Sequence, residues 1–514
     1  MTHALDSSLN TIPRAYPGPG GAIAVLRHGE LLASHSWGWA NAELRIPFTP
    51  KTLFRMCSIT KQFTCGTVLS AFPDPTALNP NVAARLPLLE QQPPTALDLC
   101  HNQSGLRDYW AVAMLHGAPA ESPFGDAEAA RVIAGTRTLQ FTPGTRYSYC
   151  NQNFRILSDI VQHRSGRSFA ELLRTHMFEP AGMATAFLAA ETSAMPDGTT
   201  GYEGTQETGF RPAINRILWT GDAGLGASLN DMIAWERHID STRDNPTALY
   251  NRLSAPVTFA NGAASAYGFG LSRRPQCGRP ATGHGGALRG WRSHRVYLPA
   301  ERISVVVMFN HLSDAHAAAE EILSALLGES KQTPPALPPP PWLGAYIEPE
   351  TGLSVRIDTA ANHQLRLRYG HAAERLDLQP DGTASNDAVT LRPEAGALRM
   401  HRPLENQSSL LQPCETAAPP AIAGAYRCGE LDATLTIENT AGQLYGAFSG
   451  CLGQGRMELL DPIAANVWAL PCPRALDHTP PGDWTLRITG NDTIEVGCWL
   501  ARGLIYSKEA SASF

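Results

Sequence analysis

Lysine is scarce in this chain. Of its 41 basic residues only Lys51, Lys61, Lys331 and Lys508 are lysines, and the rest are arginine. No stretch of 18 apolar residues occurs, which excludes a membrane-spanning helix. There is no basic run, and a net charge of -6 with a pI near 6.2 argues against a nucleic-acid-binding surface. The ten cysteines contain no C-x-x-C pair and no Cys/His spacing suited to zinc, so no metal is expected. Residues 1–21 lack both a basic n-region and a continuous apolar h-region, so no secretory signal is expected. Reduced thiols in a cytoplasmic protein fit best, with a periplasmic location left open.

What is present is a globular composition, 43% hydrophobic and 17% charged. The length of 514 residues allows two to four domains. After a Pro/Gly-rich opening, Ala22 to Arg27 and Glu30 to Ser36 read as two strands joined by His28-Gly29. A helical pattern follows from Thr60 to Ser70, and further helical segments lie between Asp98 and Gly182. Two strands, Trp291 to Leu298 and Ile303 to Phe309, and a last helix, Ala315 to Leu327, return to the first sheet. This is the pattern of an α/β or α+β enzyme core. Residues 331–341 form a Pro-rich spacer. Beyond it the texture is all-β, and an internal repeat appears. Gly344-Ala345-Tyr346 recurs as Gly424-Ala425-Tyr426, Val355 and Ile357 as Leu435 and Ile437, and Gly370 as Gly450. A duplicated small β domain is expected, giving units at 1–330, 342–415 and 416–514, with residues 413–420 as the joint.

The one lysine with a serine three residues before it is Lys61, after Ser58. At that separation the two side chains lie about one helical turn apart, so Nζ can reach Oγ and the hydroxyl gains a proton acceptor. Arginine could not serve, because it does not deprotonate. Tyr149-Cys150-Asn151 offers a phenol and an amide in an unusually aromatic loop, residues 141–151. The phenol can carry a proton, and the amide can orient the lysine or bind a carbonyl. Gly283-His284-Gly285-Gly286-Ala287 reads as a glycine-rich turn before a strand, where backbone can approach a ligand and an N–H can face an oxyanion.

In this order and spacing, the three boxes resemble the penicillin-recognising serine hydrolases, the group that includes D-alanyl-D-alanine peptidases and class C β-lactamases. Further landmarks of that resemblance are His101-Asn102-Gln103-Ser104-Gly105, Glu179-Pro180-Ala181-Gly182, Ser228-Leu229-Asn230-Asp231 and Tyr267-Gly268-Phe269-Gly270. With two small β domains appended, the chain resembles the family's D-stereospecific aminopeptidases. The resemblance implies a multidomain protein, an α/β plus all-α β-lactamase-like catalytic domain followed by two eight-stranded antiparallel barrels. It implies Ser58 as nucleophile, Lys61 and Tyr149 as proton carriers, and Asn151 and His284 in the polar network. The backbone N–H groups of Ser58 and Ala287 would form the oxyanion hole, with Gly285 and Gly286 beside the substrate. Many relatives carry Lys-Thr/Ser-Gly where this chain has His284, and a histidine is a poorer fixed cation at neutral pH. Substrates with a free carboxylate are therefore less well served. The loop 473–483 resembles one that enters the cleft, and Asp477 is the expected partner of a substrate ammonium. The expected substrates are small D-amino acid amides and short peptides with a free N-terminal amine. No cofactor is implied, and a homodimer is the expected assembly. An esterase, β-lactamase or D,D-carboxypeptidase would share the machinery, and a non-enzymatic binding protein would share only the fold.

Overall fold

A computed structural model describes residues 2–329, 336–370, 372–394, 396–415, 422–476 and 480–509. Asp477 and parts of the Pro-rich spacer and of the joint at 413–420 lie outside the described residues.

The chain begins with a helix, Thr2–Ala15, where the sequence reads only as a Pro/Gly-rich opening. Leu5, Leu9 and Ile12 fall at i, i+4 and i+7, and all three are buried on one face. The Pro/Gly cluster starts only after that helix. An eight-stranded antiparallel sheet follows, ordered Tyr267–Gly268, Leu271–Ser272, Thr282–Leu288, Trp291–Leu298, Ile303–Phe309, Gly20–Arg27, Glu30–Asn41 and Ile46–Pro47. The strand Ile303–Phe309 pairs with Gly20–Arg27, so distant segments of the chain meet at the middle of one sheet. His28 and Gly29 both have positive φ, as a two-residue hairpin turn requires.

Alternation sorts the central strand between two cores. Ile23 and Val25 face the layer of Thr2–Ala15 and Ala315–Leu327. Ala22, Ala24 and Leu26 face the helical lobe on the other side. At the centre of that lobe the helix Thr60–Ala71 is buried from Thr60 to Leu69, and it packs against Asn151–Ser165. Over that span the helix exposes no face to solvent, its polar Thr60, Lys61, Gln62, Thr64 and Thr67 included, which makes it a rigid mount for the residues at its start. Where the sheet meets the lobe, Arg295 and Glu236 form a fully buried bidentate pair.

The β-rich half contains one closed barrel of eight strands, from Gly344–Ile347 to Gln407–Pro413. A ten-stranded sheet follows, from Gly424–Cys428 to Ala501–Lys508. It curves as a half-barrel whose described pairings do not close, so the second barrel of the expectation is an open one. The repeat reappears as shared register. Gly344 pairs with Ile357 and Tyr346 with Val355, while Gly424 pairs with Ile437 and Tyr426 with Leu435. Each tyrosine hydroxyl donates to a carbonyl four residues back, Trp342 or Ile422. Both sheets share one apolar cluster, which also takes in Ala111 and Leu115 of the helix Tyr109–Leu115. Among the described residues no helix is long and apolar enough to cross a membrane.

Candidate active site

The short strand Phe54–Cys57 pairs with Leu225–Ala227 and delivers the chain to Ser58. Cys57 holds a left-handed conformation, φ 53°, which costs a non-glycine residue roughly 1–3 kcal/mol. That sharp turn sets Ser58 just before the helix that carries Lys61. Lys61 Nζ lies 3.0 Å from Ser58 Oγ, 2.8 Å from Asn151 Oδ1 and 2.8 Å from the Asp222 carbonyl oxygen. The ammonium nitrogen is also 4.8 Å from the centroid of the Tyr149 ring, and Tyr149 and Ser58 line the same cavity.

Lys61 is completely buried. Burial lowers its pKa to about 8, against the opposing pull of the Asp222 and Asp108 carboxylates. Burial drives the Tyr149 phenol the other way, well above its ordinary value. Lys61 is thus the group of the pair that sheds its proton near neutral pH, and Tyr149 rests as a phenol able to donate or relay.

Asp108, which the sequence did not single out, orients this cluster. It caps the helix Tyr109–Leu115 through Trp110 N. Its other oxygen accepts from both the backbone N–H and the side-chain Nδ2 of Asn151, the latter at 2.9 Å. With Nδ2 committed to Asp108, Asn151 Oδ1 must face Lys61. Burial pushes the Asp108 carboxyl up to about 6, and its hydrogen bonds and Lys61 act in the opposite direction. Asp108→Asn is expected to lower kcat roughly 10- to 100-fold with little change in KM. Because the Asp108 charge raises the Lys61 pKa, its loss should also move the acid limb of the kcat/KM profile to lower pH. A pH series on the variant checks both.

The third box lies within a strand, Thr282–Leu288, paired along its length with Trp291–Leu298. The expected turn is corrected here, and the glycines have a different reason. A side chain at Gly283 would meet the Arg295 carbonyl at 2.2 Å, and one at Gly286 would meet the Met56 carbonyl at 2.4 Å. The glycines let this strand lie against its neighbour and against the strand leading to Ser58. On its other edge Thr282–Leu288 pairs only at Gly283, with Ser272. Ser58, Tyr149, His284, Gly285, Gly286 and Ala287 all line one cavity of about 570 Å³.

His284 Nδ1 contacts the Gly285 carbonyl and Nε2 lies 3.0 Å from Tyr267 Oη. A carbonyl can only accept, so Nδ1 carries the proton and Nε2 accepts from the tyrosine. Burial, helped by the Lys61 charge, lowers the His284 pKa to about 3. The ring is therefore neutral at physiological pH and is no fixed cation.

The opposite walls come from the β-rich half. Glu374, Arg402 and Glu405 of the barrel, and Pro480, Trp499 and Leu500 of the last sheet, line the same cavity. The Leu500 carbonyl accepts from Asp108 N at 2.9 Å, and the Arg502 carbonyl from Arg107 Nε at 2.8 Å, so the last sheet is fixed to the residues that orient Asn151.

A family model described as beta-lactamase matches residues 9–328, and one described as D-aminopeptidase, domain B, matches residues 336–507. A D-aminopeptidase of Gluconobacter oxydans is 58% identical over 522 residues, spanning 98% of each chain. The chain belongs to the D-aminopeptidase family. A D-aminopeptidase of Brucella melitensis is 44% identical over 517 residues, again spanning 98% of each chain. Two solved structures share the fold at lower identity. One is an octameric penicillin-binding protein homologue from Pyrococcus abyssi, with a TM-score of 0.54 at 22% identity over 80% of this chain and 99% of its own. The other is a D-amino acid amidase from Ochrobactrum anthropi SV3, with a TM-score of 0.53 at 17% identity over 64% of this chain and 99% of its own. The D-aminopeptidase relatives align with the β-rich half as well as with the catalytic core, which matters because that half walls the cavity.

Proposed function

We propose that this member of the D-aminopeptidase family is a serine exopeptidase that releases N-terminal D-residues from amides and short peptides through an acyl-enzyme. The observation that carries this reading is Lys61 Nζ at 3.0 Å from Ser58 Oγ, in a cavity whose opposite walls come from the β-rich half. Ser58 Oγ attacks the carbonyl carbon as its proton passes to Lys61, directly or through the Tyr149 hydroxyl. The negative oxygen is held by the backbone N–H groups of Ser58 and Ala287. Collapse of the intermediate expels the amine or ammonia, which takes the proton back and leaves a D-aminoacyl ester on Ser58. Water, deprotonated by the same Lys61–Tyr149 pair, then releases the free D-amino acid.

Selection of the amine end follows from what surrounds the nucleophile. Neutral His284 gives a carboxylate-terminated substrate no fixed partner, which supports an aminopeptidase over a D,D-carboxypeptidase or β-lactamase. Asp477 is proposed as the ammonium partner. Its described neighbours support this, since Leu476 is buried in the catalytic core and Pro480 lines the cavity. Gly285 and Gly286 line the cavity on the strand Thr282–Leu288, where they are proposed to lie beside the substrate backbone.

Comparing D-alanine amide with its N-acetyl derivative and with L-alanine amide tests the reading. The free D-amine should be cleaved, and acetylation should cost at least ~100-fold in kcat/KM by removing the charge. Equal cleavage of the acetylated compound would rule out the aminopeptidase assignment in favour of an esterase or amidase on the same scaffold.

A further inference from the structure

We infer that Arg289 and Arg474, with Glu121 and Glu203, form a latch that positions a strap of the last sheet, the segment joining Val467–Leu470 to Trp484–Gly490, against the strand Thr282–Leu288 and so sets the cavity's selectivity. The inference rests on the proposed aminopeptidase reading.

Arg289 stands in the two-residue turn after Leu288, two residues beyond Ala287. Its side chain is only 5% exposed, and it forms ion pairs with Glu121 at 2.9 Å and with Glu203 at 3.6 Å. Nη2 also donates to the Ala475 carbonyl at 2.6 Å. Arg474, the residue before Ala475, pairs with the same two glutamates from outside. Next along the strap, Leu476 is buried among catalytic-core residues at 1% exposure. The strap is thus pinned at consecutive residues, by charge at Arg474, by the Ala475 carbonyl accepting from Arg289 and by apolar packing at Leu476.

The latch adjoins the cavity wall. A small cavity of about 90 Å³ is lined by Glu203, Arg289, Arg292, Arg474 and Pro480, and Pro480 also lines the large cavity with Ser58. The cluster is well suited to its place. A buried guanidinium is tolerated only when paired, and Arg289 spans carboxylates of the catalytic half and a carbonyl of the last sheet. It therefore ties the wall to the strand that carries Ala287. Glue for stability alone would not link these four charges to substrate choice.

Arg474 is 46% exposed, so Arg474→Ala should fold. It is expected to raise KM for D-alanine amide roughly tenfold with kcat within about threefold, and to narrow the preference for the free over the acetylated amine. Arg474→Lys, which keeps a cation, should stay near wild type. Arg289→Lys, which cannot span the same partners, should behave like Arg474→Ala. Amide hydrogen exchange of residues 471–483 supplies a readout independent of substrate, and it should speed up in Arg474→Ala and Arg289→Lys but not in Arg474→Lys. Unchanged exchange there, or unchanged KM and amine preference in an exchange-loosened variant, overturns the latch. A wild-type enzyme indifferent to acetylation would instead count against the aminopeptidase reading, with exchange still deciding whether the latch exists.

Discussion

Ser58→Ala is expected to lower turnover of D-alanine amide by roughly 10⁴- to 10⁶-fold while leaving the fold intact. The hydroxyl is the only atom removed. Ser58 lies at the end of a strained strand-to-helix turn rather than inside the apolar core, so its loss opens no large cavity. Lys61 would remain buried, with Asn151 Oδ1 and the Asp222 carbonyl still accepting from it. The variant should therefore still bind D-alanine amide, with any residual rate coming from the N–H groups facing the oxyanion. Steady-state kinetics beside a thermal melt separate the two properties. An active Ser58→Ala enzyme would remove Ser58 from the mechanism.

Lys61→Arg is expected to be nearly as severe, about 10³-fold or more in kcat, although it conserves charge. The site needs a group that accepts a proton near neutral pH. Lys61 is suited to the proposed role because burial brings its pKa to about 8, and a guanidinium does not deprotonate in this range. In the proposed mechanism the neutral amine is the working form, so wild-type kcat should rise with pH and level off above about 8, while kcat/KM should fall again at higher pH as the substrate's own ammonium deprotonates at about 8. His284, with a pKa near 3, should contribute no inflection between pH 5 and 9. In Lys61→Arg the limb near 8 should vanish along with most of the rate. A variant that kept both would show that the limb belongs to another group.

How much of this was legible in the sequence varies with the distance over which each signal acts. Ser58 and Lys61 are three residues apart, and one turn of chain brings them together, so spacing and the scarcity of lysine were enough to single them out. The duplicated β unit was legible for a similar reason. Alternation is local, and the repeated Gly-Ala-Tyr fixes the same pairing of Gly344 with Ile357 and of Gly424 with Ile437. Tyr149 and Asn151 stood out as a phenol and an amide in an aromatic loop, but their link to Ser58 and Lys61 came only through resemblance, because the contact between Asn151 and Lys61 spans 90 positions. Asp108 was not legible at all. In sequence it is one more helix-capping aspartate, and its second role exists only where Asn151 packs against it. The third box misled in a particular way, since its glycines read as a turn when they serve close strand packing. The first helix carried its own signal in Leu5, Leu9 and Ile12, obscured by the Pro/Gly cluster beyond it. Nothing local marked Arg289, Glu121, Glu203 and Arg474 as partners, which come from four separate parts of the chain.

The β-rich half follows from the same physics. The D-aminopeptidases of Gluconobacter oxydans and Brucella melitensis match the chain over 98% of their length, this half included, and its side chains line the cavity together with Ser58. A strand edge such as that of Thr282–Leu288 accepts extended peptide readily.

The acyl-enzyme is the centre of the account, and rapid-quench mass spectrometry of the wild-type protein with D-alanine amide tests it most directly. The account predicts an adduct one D-alanyl group heavier than the free enzyme, mapped by proteolysis to the peptide containing Ser58, lost on longer incubation and absent from Ser58→Ala. Turnover without any adduct, or an adduct on another residue, would contradict it.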